Sequence, residues 1–344
     1  MYKAVWSGAP FPKVTASSGM TFRNAVRDRL QGNLISTDSH KIDYCFAPIA
    51  SPQALGGRGS PYTIRLAGKP LYRHALERLQ TGLGRAPVVV ITDPQLADDN
   101  EAVRDITGLA RLCGQIDPDD IPNTAVGIFP TANLGSLPFA KPWQIFEICA
   151  DIAGAFEGGI SSEAKIEPGV EISGNVHIER NVVVLSGSRI KGNIYIGADS
   201  FIGNDVLIRG DTVIGGRCAV GFAAEIKSSL VLDEGKIGPM SAVPDSVIGE
   251  AAFLGGLTRI SNTHPQGKNA TFKIGDEIHD TGRQHLGAFV GADSVLSGSV
   301  RVSPGRFVGP NSFVGPSVNV VRNIPGNVRV ELEQKLRISD QVAP

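Results

Sequence analysis

The chain is short of aromatic residues. They make up 6% of 344 residues, with two tryptophans and five tyrosines, while apolar residues of all kinds reach 42%. A core with so few rings has to be assembled from aliphatic side chains. Cysteines are equally sparse: Cys45, Cys113, Cys149 and Cys218 are scattered, with neither disulfide-framework, redox nor metal-ligand spacing. They are expected as buried thiols in a reducing compartment, and no metal ligand set is assigned. Net charge is almost missing, 33 basic against 34 acidic residues leaving −1. Nothing therefore steers the chain toward nucleic acid or an anionic membrane. There is no apolar run of membrane-spanning length and no basic-then-apolar leader pattern, so a cytoplasmic location is expected.

What the sequence does contain is a beat of six. Ile166, Ile172, Ile178, Val184, Ile190, Ile196, Ile202, Ile208, Ile214, Val220 and Ile226 place an aliphatic residue on every sixth position. A helix repeats every 3.6 residues and a strand every two, so neither accounts for the spacing. A fixed period of six is the mark of a hexapeptide parallel β-helix, in which three hexads make one triangular coil. Small or β-branched residues four positions after each beat, such as Val176, Val182, Ser188 and Thr212, suit crowded inner corners. Gly197, Gly203, Gly215 and Gly221 directly follow the beat and are expected to free the backbone there. The beat returns at Val290, Leu296, Val302, Val308, Val314 and Val320. Between the runs the rhythm slips, which predicts an excursion around Leu232 to Val243. A polar stretch, Asn262 to Gln284, predicts a loop leaving the coil, the usual place for binding chemistry.

Length beyond one ordinary core predicts two domains. The expected division is an irregular arm over 1–50, a small α/β domain over 51–160, the β-helix over 161–326 and a tail over 327–344. In the arm, Phe22 to Gln31 is compatible with a short helix. The α/β part alternates: a helix from Pro70 to Leu79, a strand at Val88–Ile91, a helix from Asn100 to Cys113, a strand at Ala125–Phe129 and a helix from Pro142 to Phe156. That alternation predicts a small parallel sheet. Gly158-Gly159 and Ser161-Ser162 mark the boundary.

Several motifs carry a family resemblance: Lys141-Pro-Trp143, Glu225-Ile-Lys-Ser-Ser229, Asp245 to Glu250, Gly255-Gly-Leu-Thr258, Thr281 to Gly287, and Val302-Ser-Pro-Gly305 followed by Val308-Gly309. In this order and spacing, from Lys141 to Pro325, the chain resembles sugar-1-phosphate nucleotidyltransferases with a C-terminal left-handed β-helix acetyltransferase. Bifunctional N-acetylglucosamine-1-phosphate uridyltransferases and their archaeal relatives are of this kind. The resemblance implies a left-handed coil, a homotrimer with sites between neighbouring prisms, acetyl-CoA as donor and a sugar or sugar phosphate as acceptor. Gly57-Arg-Gly-Ser60 and Leu66 to Leu71 resemble a worn copy of the family's nucleotide loop. The loop's arginine is missing and the segment is short, so no nucleotidyl transfer is expected.

Residue by residue, the family's catalytic histidine falls on Pro239, its tyrosine on Ala242 and its asparagine on Phe253. Arg209 and Lys227 match the family's phosphate-binding cations and, with Asp245, are the candidate substrate-binding residues. Each cation follows a beat residue and 18 positions separate them, which places them on neighbouring strands and implies an anion between them. Gly256, Ala292 and Pro310 match the family's acetyl-CoA contacts, although proline at 310 removes a backbone donor. A replacement base is sought among the six histidines, since histidine titrates nearest neutral pH. His264 and His285, beside the loop, are the candidates; His40, His74, His177 and His279 are the others. Two readings stay open. One is a rewired hexapeptide acyltransferase; the other is a catalytically inactive regulatory or scaffold paralogue, favoured by the losses at Pro239, Ala242, Phe253 and Pro61. A divergent nucleotidyltransferase is the weaker third.

Overall fold

The structure, a computed structural model, describes residues 34–35, 43–47, 49, 52–113, 128–130 and 136–336. Phe22–Gln31 and His40 lie outside them. The first lobe holds a four-stranded parallel sheet of β1 (Leu34–Ile35), β2 (Tyr44–Phe46), β3 (Val88–Ile91) and β4 (Arg111–Cys113), in the order β1-β4-β3-β2. All four residues of β3 are buried, as a strand covered on both faces must be. Helix α1 (Leu71–Leu83) buries Leu71, Ala75 and Leu76 and runs on to Gly84, whose left-handed φ of 64° closes it. Helix α2 (Asn100–Leu109) starts where the Asp99 carboxylate accepts from the Glu101 and Ala102 amides.

Two expectations are corrected here. The helix expected to reach Cys113 stops at Leu109, because Ala110 is extended and β4 supplies the parallel neighbour that β3 requires. The described end of the strand expected at Ala125–Phe129 lies outside the parallel sheet. Ile128–Pro130 pairs antiparallel with Ser136–Pro138, an arrangement that suits prolines 130 and 138, which donate nothing to a ladder. Helix α3 (Ile145–Ala155) follows a short 3-10 turn and buries Ile145, Ile148, Cys149 and Ile152. All four cysteines are buried.

From Gly159 to Val330 the chain winds as a parallel β-helix of three faces. Ile166, Val184, Ile202, Val220, Ile237, Leu254, Leu296, Val314 and Val330 stack inside the first face. Ile172, Ile190, Ile208, Ile226, Val243, Ile260, Val302 and Val320 stack inside the second. Ile178, Ile196, Ile214, Val231, Ile248, Val290 and Val308 stack inside the third. Each fully buried aliphatic side chain contributes about 1.5–3 kcal/mol, and the flat rows form one continuous aliphatic core.

The excursion expected at Leu232–Val243 is absent. The rhythm slips because two coils each omit a residue: Ile226 to Val231 and Val243 to Ile248 are five-residue steps, stacked on one another. Ser229 Oγ bonds to the Lys227 and Val243 carbonyls (2.8 and 2.9 Å), and Ser246 Oγ donates to the Pro244 carbonyl (2.6 Å), which satisfies the tightened corner. The glycines after the beat also act differently from expectation. Left-handed backbone falls instead on neighbouring residues such as Asp199 and Asp205. A Cβ on Gly197 would lie 2.6 Å from the Gly215 carbonyl carbon, so close stacking of coils is what demands glycine there.

The polar stretch after Asn262 does leave the coil, and carries an antiparallel hairpin, Thr271–Ile274 with Glu277–Asp280. It folds back over the third face beside the α/β lobe. Tyr195, Val213, Leu230, Val247 and Phe289 point outward from that face into the lobe's core, where Phe272 and α3 meet them. The scarce rings gather at this junction, with Trp143 against Phe272 (5.7 Å), Phe272 against Phe289 (5.0 Å) and Phe146 against Phe289 (5.8 Å). Among the described residues one face of the prism is thus roofed and two are bare.

Candidate functional site

The corner between the second and third faces brings most of the candidates together. Its left-handed column runs through Gly174, Gly192 and Gly210, then continues in Ser228 and Asp245, both at φ 46°. A Cβ on Gly192 would sit 2.4 Å from the Gly210 oxygen, so the lower coils require glycine at this bend. Asp245 is buried there, 4% exposed. One carboxylate oxygen receives both Lys227 Nζ (3.1 Å) and Asn262 Nδ2 (2.6 Å).

Arg209 and Lys227 are register partners on adjacent strands, as their spacing implies. The anion expected between them is supplied by the protein itself. Arg209 donates from Nε and Nη2 to Glu225 (2.9 and 2.7 Å), and Lys227 is held by Asp245. Each cation thus has a carboxylate partner within the chain.

From Asp245 a hydrogen-bond chain runs outward. Asn262 donates to Asp245, so its Oδ1 is the acceptor for Thr263 Oγ1 (3.2 Å). With its single proton given to Asn262, the Thr263 oxygen accepts from Nδ1–H of His285 (3.1 Å). In a neutral ring that contact would put the proton on Nδ1 and turn Nε2 of the exposed side chain toward solvent as an acceptor. The returning limb of the loop sets the geometry: Thr263 and His285 form an antiparallel bridge, the Leu286 amide donates to the Asn262 carbonyl (2.8 Å), and the Gly287 amide donates to the Asp245 carbonyl (2.7 Å). Gly287 is required, since a Cβ would lie 2.2 Å from the Pro244 oxygen.

The other histidines are employed elsewhere. His264 is exposed and its Nδ1 accepts from the Gln266 amide (3.4 Å), closing a local turn. His177 stacks on Tyr195 at 5.3 Å, and His279 lies 6.2 Å from the Trp143 ring. His74 is buried with Nε2–H donating to the Leu66 carbonyl (2.7 Å); burial pushes its pKa down to about 4. It is neutral.

The expected acetyl-CoA positions do not converge within one chain. Gly256 lies on the corner between the first and second faces, against Pro239. Ala292 and Pro310 stack on the corner between the third and first, where the Asn311 amide bonds to Ala292 and the Asn327 amide to Pro310. Three corners of a prism cannot meet on a single copy.

The worn glycine loop docks on this last corner. The Glu250 amide donates to the Gly56 carbonyl (2.9 Å), and Arg58 grips Asp293 through two bonds (2.9 and 2.6 Å). Ser60 caps a short turn by accepting from the Tyr62 amide (3.2 Å). A Cβ on Gly56 would meet the Gly249 Cα at 2.6 Å, so the loop's glycine permits backbone-to-backbone contact with the prism. Arg58, Arg217, Asp233 and Glu250 line a cavity of about 200 Å³ behind it; burial raises the Glu250 carboxyl above its usual range while Arg58 draws it back. The charges there answer one another.

Sequence comparison finds several known proteins that parts of this chain resemble. Residues 190–282 match the GMPPB C-terminal domain. The chain is 35% identical over 121 residues to the uncharacterized acetyltransferase YaiX of Escherichia coli O6:K15:H31, covering 35% of this chain and 53% of that protein. It is 31% identical over 190 residues to the bifunctional sugar-1-phosphate nucleotidylyltransferase/acetyltransferase of Sulfurisphaera tokodaii, covering 55% and 47%. It is 33% identical over 197 residues to the bifunctional protein GlmU of Methanocaldococcus jannaschii, covering 57% and 47%. The chain thus spans about half the length of the curated relatives it matches. The resemblance drawn from the motifs is present in the sequence comparisons.

Sequence reasoning missed Asn262 and Thr263, which connect Asp245 to His285. The only signal was their place directly after the beat residue Ile260, at the mouth of the predicted loop.

Proposed function

We propose that the protein is an acyltransferase that moves an acyl group, acetyl in the first instance, from coenzyme A to a hydroxyl or amine of a sugar or sugar phosphate. The observation that supports this reading is the contact chain Asp245–Asn262–Thr263–His285, which holds Nδ1 of the ring against Thr263 and leaves Nε2 without a partner among the described residues. In the reaction His285 Nε2 takes the proton of the acceptor as it attacks the thioester carbonyl, and coenzyme A leaves as the thiol. Gly256, Ala292 and Pro310 are assigned to the donor. Because they sit on other corners, the complete site is built from more than one copy, and a cyclic trimer is the assembly proposed. The bare first face supports this with exposed Phe201 and Phe253, next to Phe222, Met240 and Leu257 on its corner. A cytoplasmic setting, where acyl-CoA and reduced thiols coexist, belongs to the same reading. Among the described residues no helix is long and apolar enough to cross a membrane.

Thiol release from acetyl-CoA in the presence of amino-sugar phosphates and nucleotide sugars tests the proposal, together with the rise in Tm that donor binding produces. Absence of both thiol release and a CoA-dependent Tm shift would sink it. That outcome would favour the second reading, a non-catalytic paralogue, which is motivated by Pro239 and Phe253 where the resembling family has polar groups. Light scattering checks the assembly; a monomer refutes the composite site.

A further inference from the structure

On the second face Arg189 meets Glu171 (3.4 Å), Arg209 meets Glu225 (2.7 Å) and Lys227 meets Asp245 (3.1 Å), while Lys191 is exposed with no ion pair among the described residues. Farther up the same face two unpaired cations stand side by side. Arg259 and Arg301 are register partners on adjacent parallel strands, brought together by the coil although the inserted loop separates them in sequence. Both are exposed, and among the described residues neither guanidinium has an ion pair or hydrogen bond. Adjacent strands hold their backbones about 4.8 Å apart.

The surroundings do not neutralise them. Below Arg259 in the same outward row is Ala242, and above Arg301 is Asn319. The parallel row two residues on reads Pro244, Ser261, Ser303 and Val321, since alternate residues of a strand share a face. No acid occurs in either row of four. The hydroxyls of Ser261 and Ser303 have no partner among the described residues. Two like charges in register, flanked by two open hydroxyls, make a flat tile of donors aimed at solvent. Ser261 is two residues before Thr263, so the tile borders the His285 corner.

We infer that Arg259 and Arg301, with Ser261 and Ser303, form the phosphate or diphosphate subsite of the molecule. This rests on the acyltransferase reading, which it deepens by placing the anionic part of a substrate at Arg259 and Arg301, the nearer of which lies two coils above Lys227 and three above Arg209. Two planar guanidinium forks at strand spacing can each hold a phosphate oxygen pair, which a single lysine cannot. Two ligands of that reading carry the chemistry, the diphosphate of coenzyme A and that of a nucleotide sugar.

Binding resolves both the site and the source. Calorimetry on the full chain with inorganic pyrophosphate, coenzyme A, UDP and GDP, at low and high salt, compares the wild type with R259Q/R301Q and R259K/R301K. The expected result is that the glutamine pair weakens at least one probe tenfold or more, with Tm unchanged, while the wild-type affinity falls as salt rises. The lysine pair, which keeps charge and loses the forks, is expected between the two. Loss confined to coenzyme A assigns the tile to the donor, and loss confined to UDP or GDP assigns it to the acceptor. If the wild type binds none of the probes, or the glutamine pair binds all of them unchanged, the tile is not a phosphate site. Acyl transfer is scored separately: activity with unaffected binding overturns the tile alone, and affected binding without activity overturns the enzyme alone.

Discussion

His285 owes its proposed role to a single hydroxyl proton. With Thr263 donating to Asn262, the hydroxyl is placed to accept from Nδ1–H of the ring, and a neutral ring would then carry its lone pair on Nε2. His285→Ala is expected to lower kcat by about 100-fold or more, within the usual range for removing a general base, at unchanged Tm because the ring is exposed. Thr263→Val, which removes the relay and keeps the shape, is expected to cost less, and its pH–rate profile should shift while that of His264→Ala stays put. His74 is informative in another way. Its pKa falls to about 4 in the folded chain, against about 6.5 when unfolded. Between those values the unfolded chain binds a proton that the folded chain refuses. Stability is therefore fully present above pH 6.5 and lost as pH falls toward 4, by roughly 3 kcal/mol. Thermal melts from pH 7 to 4 should show that slope, and His74→Leu should flatten it; an unaltered slope in the variant would assign the acid sensitivity to other groups.

At the scale of elements, the hairpin Thr271–Asp280 is a brace more than a binding loop. Phe272 is 1% exposed and touches both Trp143 and Phe289. Phe272→Ala is expected to cost about 4 kcal/mol, and chemical denaturation should show the loss in midpoint without a change in the solenoid's strand signal. The coils were legible in the sequence because each inward position is filled by an aliphatic residue, and the period survives any choice of outward residue. The five-residue steps were not. A slipped rhythm looks the same whether residues are added or omitted, and only the hydroxyl bonds of Ser229 and Ser246 show how a shorter corner is closed. Nor could the pairing of Thr263 with His285 be read, since a loop of unspecified path joins them. Arg259 and Arg301 left a trace: each stands immediately before a beat residue, hence outward. The insertion hid that they were neighbours. For Arg209 and Lys227 the spacing gave correct adjacency; Asp245 was named beside them as a binding residue, while its ion pair with Lys227 and that of Glu225 with Arg209 emerged only from the fold.

For the whole molecule, the α/β lobe and the outer side of the third face share one core. Residues 1–160 produced alone are therefore expected to lack cooperative melting and to expose apolar surface to a dye such as ANS, whereas the prism retains its own aliphatic interior. A lobe that melts cooperatively on its own would refute that dependence. The roof over the third face also limits how copies can gather. In the proposed ring of three, each prism would meet one neighbour on either side through the two flanks that are bare among the described residues. The lobes would then project radially like the vanes of a rotor, a closed arrangement with no described flank left over to seed an endless fibre.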